Sequence, residues 1–165
     1  MVDSVGVTEK VSVGKYRNIP AKIDTGADAS VIWASNIKVT RDGILKFTLF
    51  GKGSPYYSGR LLRRTDFGVA KIKSSNSTCQ IRYRTHLTVV VAGRKIRALF
   101  YLANRSEQKF PILIGRRTIA GKFLVDVSKK NIKLQSPRKT GLNDELRSDP
   151  YNFHRKFIKG REGKK

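Results

Sequence analysis

Two neighbouring runs constrain the fold most: "QIRYRTHLTVVV", residues 80–91, and "IRALFYL", residues 96–102, joined by "AGRK". Both are rich in β-branched and aromatic residues and alternate apolar with polar positions, the pattern of a half-buried strand. The intervening glycine lets the chain reverse in a tight turn. A two-stranded ribbon is not stable alone in water, so its apolar face requires further strands. The sequence supplies them at Val5–Val13, Ala21–Asp24, Ile44–Phe50, Val69–Lys73 and Phe123–Val127. A second hairpin signal, "RDG", spans Arg41–Gly43, and the glycine-rich Phe50–Gly59 reads as a surface loop. Only "RRTIAG", Arg116–Gly121, suggests a short helix before the tail, closed by a glycine suited to a C-terminal cap. The expectation is a mostly β domain.

A chain of 165 residues can bury one real core. Its single cysteine, Cys79, excludes an intrachain disulfide, and two histidines, His86 and His154, do not make a zinc-binding pattern. No metal or other cofactor is expected. No apolar run approaches the length that crosses a bilayer, and the N-terminus lacks a leader-like pattern, so the expectation is a soluble, cytoplasmic protein. The formal charge of +23, from 35 Lys and Arg against 12 Asp and Glu, implies attraction to polyanions without choosing among them. From about Ser128 the composition turns polar and basic. Residues 1–134 are expected to form the domain, and 135–165 a basic, poorly ordered tail in which a short helical turn holds Tyr151, Phe153 and Phe157.

The chemistry centres on "AKIDTGADASVIW", residues 21–33. A short strand delivers Asp24 to a turn, the Thr25 hydroxyl is placed to lock that turn, and Gly26 lets backbone and substrate approach without a Cβ. A carboxylate that activates water needs a second carboxylate nearby; two close acids share one proton, so one acts as general base while the other polarises the carbonyl. An isolated Asp-Thr-Gly is equally an ordinary turn. A second motif changes the balance: "PILIGRRTI", residues 111–119, is an apolar strand ending at Gly115 before a basic pair and a helix.

The succession of "DTGAD" and a later apolar-apolar-Gly-Arg resembles the retropepsin-like aspartic peptidases over roughly Gly14–Val127. The closer likeness is to the bacterial branch often labelled ATP-dependent zinc protease and associated with RimK-type ATP-grasp glutamate ligases. It is carried by "AKIDTGA", "RRTDFGVAKIKSSN", "GRKIRALFYLANRS" and "PILIGRRTIAGKFLVD". The resemblance implies an all-β, single-lobed closed barrel with one short C-terminal helix. It implies that Asp24, Thr25 and Gly26 form the catalytic turn, supported by Gly115 and Arg116. Ala27, Asp28 and Ile114 are then substrate-contact candidates, Ile114 being core or pocket wall. Asp28, a residue the retroviral enzymes also carry, would accept a substrate backbone N–H and pair with Arg116. Ser74, Ser75, Asn76 and Ser77 would form the tip of a flap over the substrate. Arg60, Arg63, Arg64, Lys71, Lys73, Arg82 and Arg84 are expected as a positive rim beside the cleft or as a solvated face.

No second Asp-Thr-Gly or Asp-Ser-Gly occurs, so an active enzyme needs another copy of the chain. A two-fold homodimer would place one Asp24 from each protomer on its axis, the two Thr25 hydroxyls bracing each other's loops, with the chain ends at the dimer base. Ala27 stands where pepsin-like lobes usually carry a hydroxyl, and its absence predicts a mildly acidic optimum, above about pH 3. The function expected is an aspartic endopeptidase acting on acidic or glutamate-rich peptides. The alternative is an inactive basic β-barrel that binds nucleic acid or another polyanion, in part through its tail.

Overall fold

A computed structural model describes residues 2–73, 79–132, 147 and 149–162. The chain divides into two compact units, Met1–Ile132 and Lys133–Lys165. Among the described residues the first holds ten strands: β1 (Asp3–Val13), β2 (Tyr16–Asp24), β3 (Ser30–Val39), β4 (Leu45–Leu49), β5 (Leu61–Arg64), β6 (Gly68–Lys73), β7 (Cys79–Val91), β8 (Arg94–Ala103), β9 (Ile112–Gly115) and β10 (Phe123–Lys130). A single helical turn, α1 (Arg116–Ile119), separates β9 from β10.

Six strands close on themselves in the order β1-β2-β9-β3-β8-β7 and back to β1, through the short pairing of Ser12 and Val13 with Val90 and Val89. The protein is therefore an all-β closed barrel. The β7–β8 ribbon forms in the register the alternation demands, Thr85, Leu87, Val89 and Val91 facing inward. Its turn places both Ala92 and Gly93 at positive φ, +45° and +79°, the backbone that a two-residue hairpin needs to match strand twist. Phe47, Phe50 and Phe100 are fully buried with Ile19, Ile32 and Leu102. Each such side chain contributes about 1.5–3 kcal/mol relative to exposure.

Two strands escaped the sequence reading for physical reasons. In β3 the inward positions of the first half are Ser30, Ile32 and Ala34, while Val31 and Trp33 lie between them, so small and polar residues hide the alternation. In β5, "LLRR" has no period at all and forms only by pairing with the edge of β4. The outermost strand at the other side, β10, runs parallel to β1 and extends past Val127 to Lys130. Beyond it the buried Glu9 accepts hydrogen bonds from Gly6 N and Asn131 Nδ2, both at 2.6 Å, which ties the end of the barrel unit back to β1.

In the second unit, Pro150–Glu162 form a helix, α2, where only a short helical turn in a poorly ordered tail was expected. Its start follows known capping chemistry. Pro150 occupies the first turn, where a missing N–H costs nothing, and Asp149 Oδ1 accepts from Asn152 N at 3.1 Å. Among the described residues no helix is long and apolar enough to cross a membrane.

Candidate active site

The site grows from two parallel strand ends. β2 and β9 pair with Ala21 opposite Ile112, Ile23 opposite Ile114 and Asp24 opposite Gly115, so the acid-bearing turn and the start of α1 emerge side by side. Residues two apart share a face. Ile23 and Ile114 point into the core, Ile114 fully buried, whereas Lys22, Leu113 and Asp24 lie on the outward face. Of the two readings of Ile114, core or pocket wall, its full burial in the protomer is that of a core residue, and the half-exposed residue of β9 is Leu113.

The turn is held by backbone and by Asp24 itself. Gly26 N donates to Asp24 Oδ1 at 3.2 Å, and Ala27 N donates to the Asp24 carbonyl at 3.2 Å. The Thr25 side chain, expected to lock this turn, is exposed, and among the described residues its hydroxyl has no hydrogen-bond partner in the protomer. The second motif supplies the remaining support. Arg116 N donates to the Ala27 carbonyl at 2.9 Å and Arg117 N to the Asp28 carbonyl at 3.1 Å, so the unpaired N–H groups at the start of α1 are satisfied by the acid-bearing loop. The side chains clamp the same place: Asp28 Oδ1 meets Arg116 Nε at 3.1 Å and Asp28 Oδ2 meets an Arg117 terminal nitrogen at 2.7 Å. The Asp28–Arg116 pair is thus present, and Arg117, read from sequence only as a companion cation, completes the fork.

Below this surface, Ser30 and Thr118 share a buried hydroxyl hydrogen bond of 2.7 Å, and Ser30 Oγ also accepts from Gly115 N at 3.0 Å. These three residues lock β3, β9 and α1 together directly behind Asp24. Ser30→Ala would leave the buried Gly115 N–H without its acceptor. Urea unfolding should show a loss of about 1–3 kcal/mol, the cost of orphaning such a group, with Ser30→Thr recovering part of it.

The expected positive rim is divided by the fold. Arg60 and Arg64 line a separate cavity of about 230 Å³ with Lys15, Tyr16 and Leu62. Arg84 lies over the Tyr101 ring, 5.9 Å from its centroid. Arg82 is half-buried on β7, where one of its terminal nitrogens donates to Gln80 Oε1 at 3.1 Å. Arg105 sits in the loop after β8, and its Nε donates to the Phe110 carbonyl at 2.8 Å. Burial chiefly, and the Arg82 cation next, push the Arg105 guanidinium below its ordinary value, while the Asp24 carboxylate acts in the opposite direction. An arginine so placed stays charged. Ser74, Ser75, Asn76 and Ser77, the expected flap tip, lie outside the described residues; the strands leading to it, β6 and β7, pair from Gly68 opposite Arg84 to Lys73 opposite Cys79. Among the described residues no three His, Cys, Asp or Glu side chains converge as metal ligands would.

With this geometry in place, the comparison with known families decides the lineage. The RimB-like family model, described as retropepsin-like aspartic endopeptidase RimB, matches residues 4–136. The chain belongs to this family. Protein Lpg0085 of Legionella pneumophila, of unknown function, has a similar structure, with a TM-score of 0.62 and 25% identity over 78% of this chain and 95% of that one. The foamy viral protease-reverse transcriptase bound to an RNA/DNA hybrid aligns with a TM-score of 0.43 and 18% identity, over 86% of this chain and 14% of that one. A probable alpha-L-glutamate ligase of Shewanella pealeana is 29% identical over 113 residues, 67% of this chain, and one of Shewanella halifaxensis matches equally. The chain spans about a quarter of the length of these curated relatives, 25% in each.

Proposed function

We propose that this RimB-like protein is an aspartic endopeptidase that works as a two-fold homodimer, with Asp24 of each protomer forming the catalytic pair. The observation that carries the reading is a half-exposed Asp24 paired with Gly115, on a loop whose Ala27 and Asp28 carbonyls accept from the α1 N–H groups, in a chain with one such motif. A reactive acid must be held rigidly while remaining open on one side. In the dimer, one Asp24 carboxylate takes a proton from water as its oxygen attacks the peptide carbonyl. The protonated partner donates to the carbonyl oxygen. Collapse of the tetrahedral adduct breaks the C–N bond as a proton passes to the leaving amine.

The second copy has a suitable surface. β10 is an edge strand whose Leu124 and Val127 are 66% and 76% exposed, and apolar side chains on an open edge favour pairing with another chain. The unpartnered Thr25 hydroxyl fits the same arrangement. Acidic peptides are the substrate class, selected by the charge of +23 and by analogy with relatives named as glutamate ligases. The test is cleavage of glutamate-rich peptides between pH 4 and 7.5, with and without pepstatin, alongside sedimentation of the protein. The expected result is a dimer that cuts, with KM rising as salt screens the acidic substrate from the basic surface. A folded dimer that binds polyanions and cuts no peptide would favour the inactive binding barrel.

A further inference from the structure

We propose that the cavity at the far end of β2 from Asp24 binds a small amphipathic acid, a compact apolar body ending in a carboxylate. The site does not depend on how Asp24 acts. β2 begins at Tyr16 and ends at Asp24, which at roughly 3.3 Å per residue sets its two ends about 26 Å apart. The cavity holds about 230 Å³ and is walled by the ends of β1 and β4, by β5 and by β7. Its floor is apolar, with Val13, Leu49 and Leu87 all buried. Lys15, Arg60 and Arg64 bring three cations to the same lining. Residues two apart on a strand share a face, so Leu62 and Arg64 of β5 turn together toward the cavity, half-buried, while Leu61 and Arg63 are exposed. Tyr16 is fixed in place, its ring T-shaped against Phe50 at 5.3 Å between centroids and its hydroxyl 2.7 Å from Ser58 Oγ.

Among the described residues none of these three cations has a carboxylate within ion-pairing distance. One terminal nitrogen of Arg64 donates to the Arg63 carbonyl at 2.8 Å, and Lys15 Nζ lies 5.6 Å from the centroid of the Tyr16 ring. A guanidinium engaged through one N–H keeps other donors free. Like charges around one hollow repel each other, and an anion placed among them relieves that repulsion. Apolar walls make the attraction stronger than it is in open water. The two parts of the lining select two parts of a ligand. A bare inorganic anion leaves the apolar floor wet, and a neutral apolar body leaves the cations uncompensated. A carboxylate on an apolar stem uses both, the planar arginine fork matching its two oxygens. The cavity is smaller than the about 300–1,000 Å³ that drug-sized ligands occupy, so the acid is either a short free one or the last residue of a peptide chain.

The experiment titrates the full isotope-labelled chain at constant ionic strength and follows by NMR the backbone amides of Gly14 and Thr88, exposed residues of the lining joined by Gly14 N donating to the Thr88 carbonyl at 3.4 Å. The probes are isocaproate, isocaproamide, inorganic phosphate, and the tripeptide acetyl-Ala-Ala-Leu with a free or an amidated end. Isocaproate should bind with a Kd of about 1 mM, within reach of a ligand of so few atoms. It should bind about ten- to hundredfold more tightly than its amide, the scale of a hydrogen bond to a charged group. Phosphate should bind more weakly than isocaproate. Arg60→Met and Arg64→Met should each remove most of the acid-to-amide ratio, and Arg64→Lys should restore part of it. Lys109→Met, which deletes an exposed cation outside the cavity lining, should leave it intact. Circular dichroism confirms that each variant is folded. Tighter binding of the free-ended tripeptide than of isocaproate assigns the site to a peptide terminus, and the reverse order assigns it to a free acid. Acid and amide binding alike, phosphate binding as tightly as isocaproate, or a ratio unchanged in folded Arg60→Met or Arg64→Met overturns the proposal.

Discussion

Asp24→Asn is expected to abolish the proposed peptide cleavage, by at least about 10⁴-fold, the scale on which removing an essential catalytic group falls. Asparagine has nearly the shape of aspartate, and its carbonyl oxygen can still accept from Gly26 N, so the turn and the fold survive the change. What disappears is the titratable oxygen. In the proposed dimer of identical chains, one substitution would remove both members of the pair. That gives the experiment a second, quantitative reading. When active and Asp24→Asn protomers are mixed equally and allowed to exchange, a shared catalytic pair leaves only about a quarter of the dimers active, those with two aspartates. A protein whose protomers worked singly would keep half its activity. Full activity in the pure variant would assign the chemistry to other residues and end the aspartic mechanism.

Gly115→Ala is expected to have the largest structural effect. The backbone at Gly115 is extended, with φ of −79° and ψ of 165°, so glycine is not required there by conformation. It is required by space. A Cβ at this position would lie 2.5 Å from both the carbonyl carbon and the carbonyl oxygen of Ala29, and these are backbone atoms of the loop that follows Asp24. They cannot turn aside as a flexible side chain would. Either β9 moves away from the loop, breaking the bonds from Arg116 N and Arg117 N to Ala27 and Asp28, or the loop is displaced and carries Asp24 with it. The cost should reach about 3 kcal/mol, the upper end for overpacking a close contact. In thermal unfolding that corresponds to a fall of roughly 10 °C for a domain of this size. Cleavage should fall more steeply than stability predicts, measured at a temperature where the variant is still folded. A variant with unchanged Tm and unchanged kcat/KM would show that the strand and loop are not in rigid contact.

Much of this organisation was legible before any fold was known. The alternation in β7 and β8 requires a ribbon with one buried face, and the turn residues between them specify the reversal. The two motifs, "DTGAD" and "ILIGRR", carry chemistry and support in residues that cannot be exchanged freely, an acid, a glycine for close approach and a basic pair. What stayed hidden depended on neighbours. β3 is a strand because its small inward residues fit between β8 and β9, a property of the gap and not of its own alternation. Ile114 and Leu113 are both apolar β9 residues, and only the register with β2 decides which one faces outward.

The sequence by itself determined that the chain is β-rich, that it is strongly basic, and that a catalytic aspartate would have to find its partner in another copy. These properties follow from local periodicity, from charge count and from the single occurrence of a motif, none of which requires long-range contact. Tertiary structure alone decided that Arg117 joins Arg116 on Asp28 and that Ser30 and Thr118 lock the support behind Asp24. Those partners stand 88 or 89 positions apart in the chain. Spacing of that kind leaves no local signature, because it is the closure of the barrel that brings the side chains together.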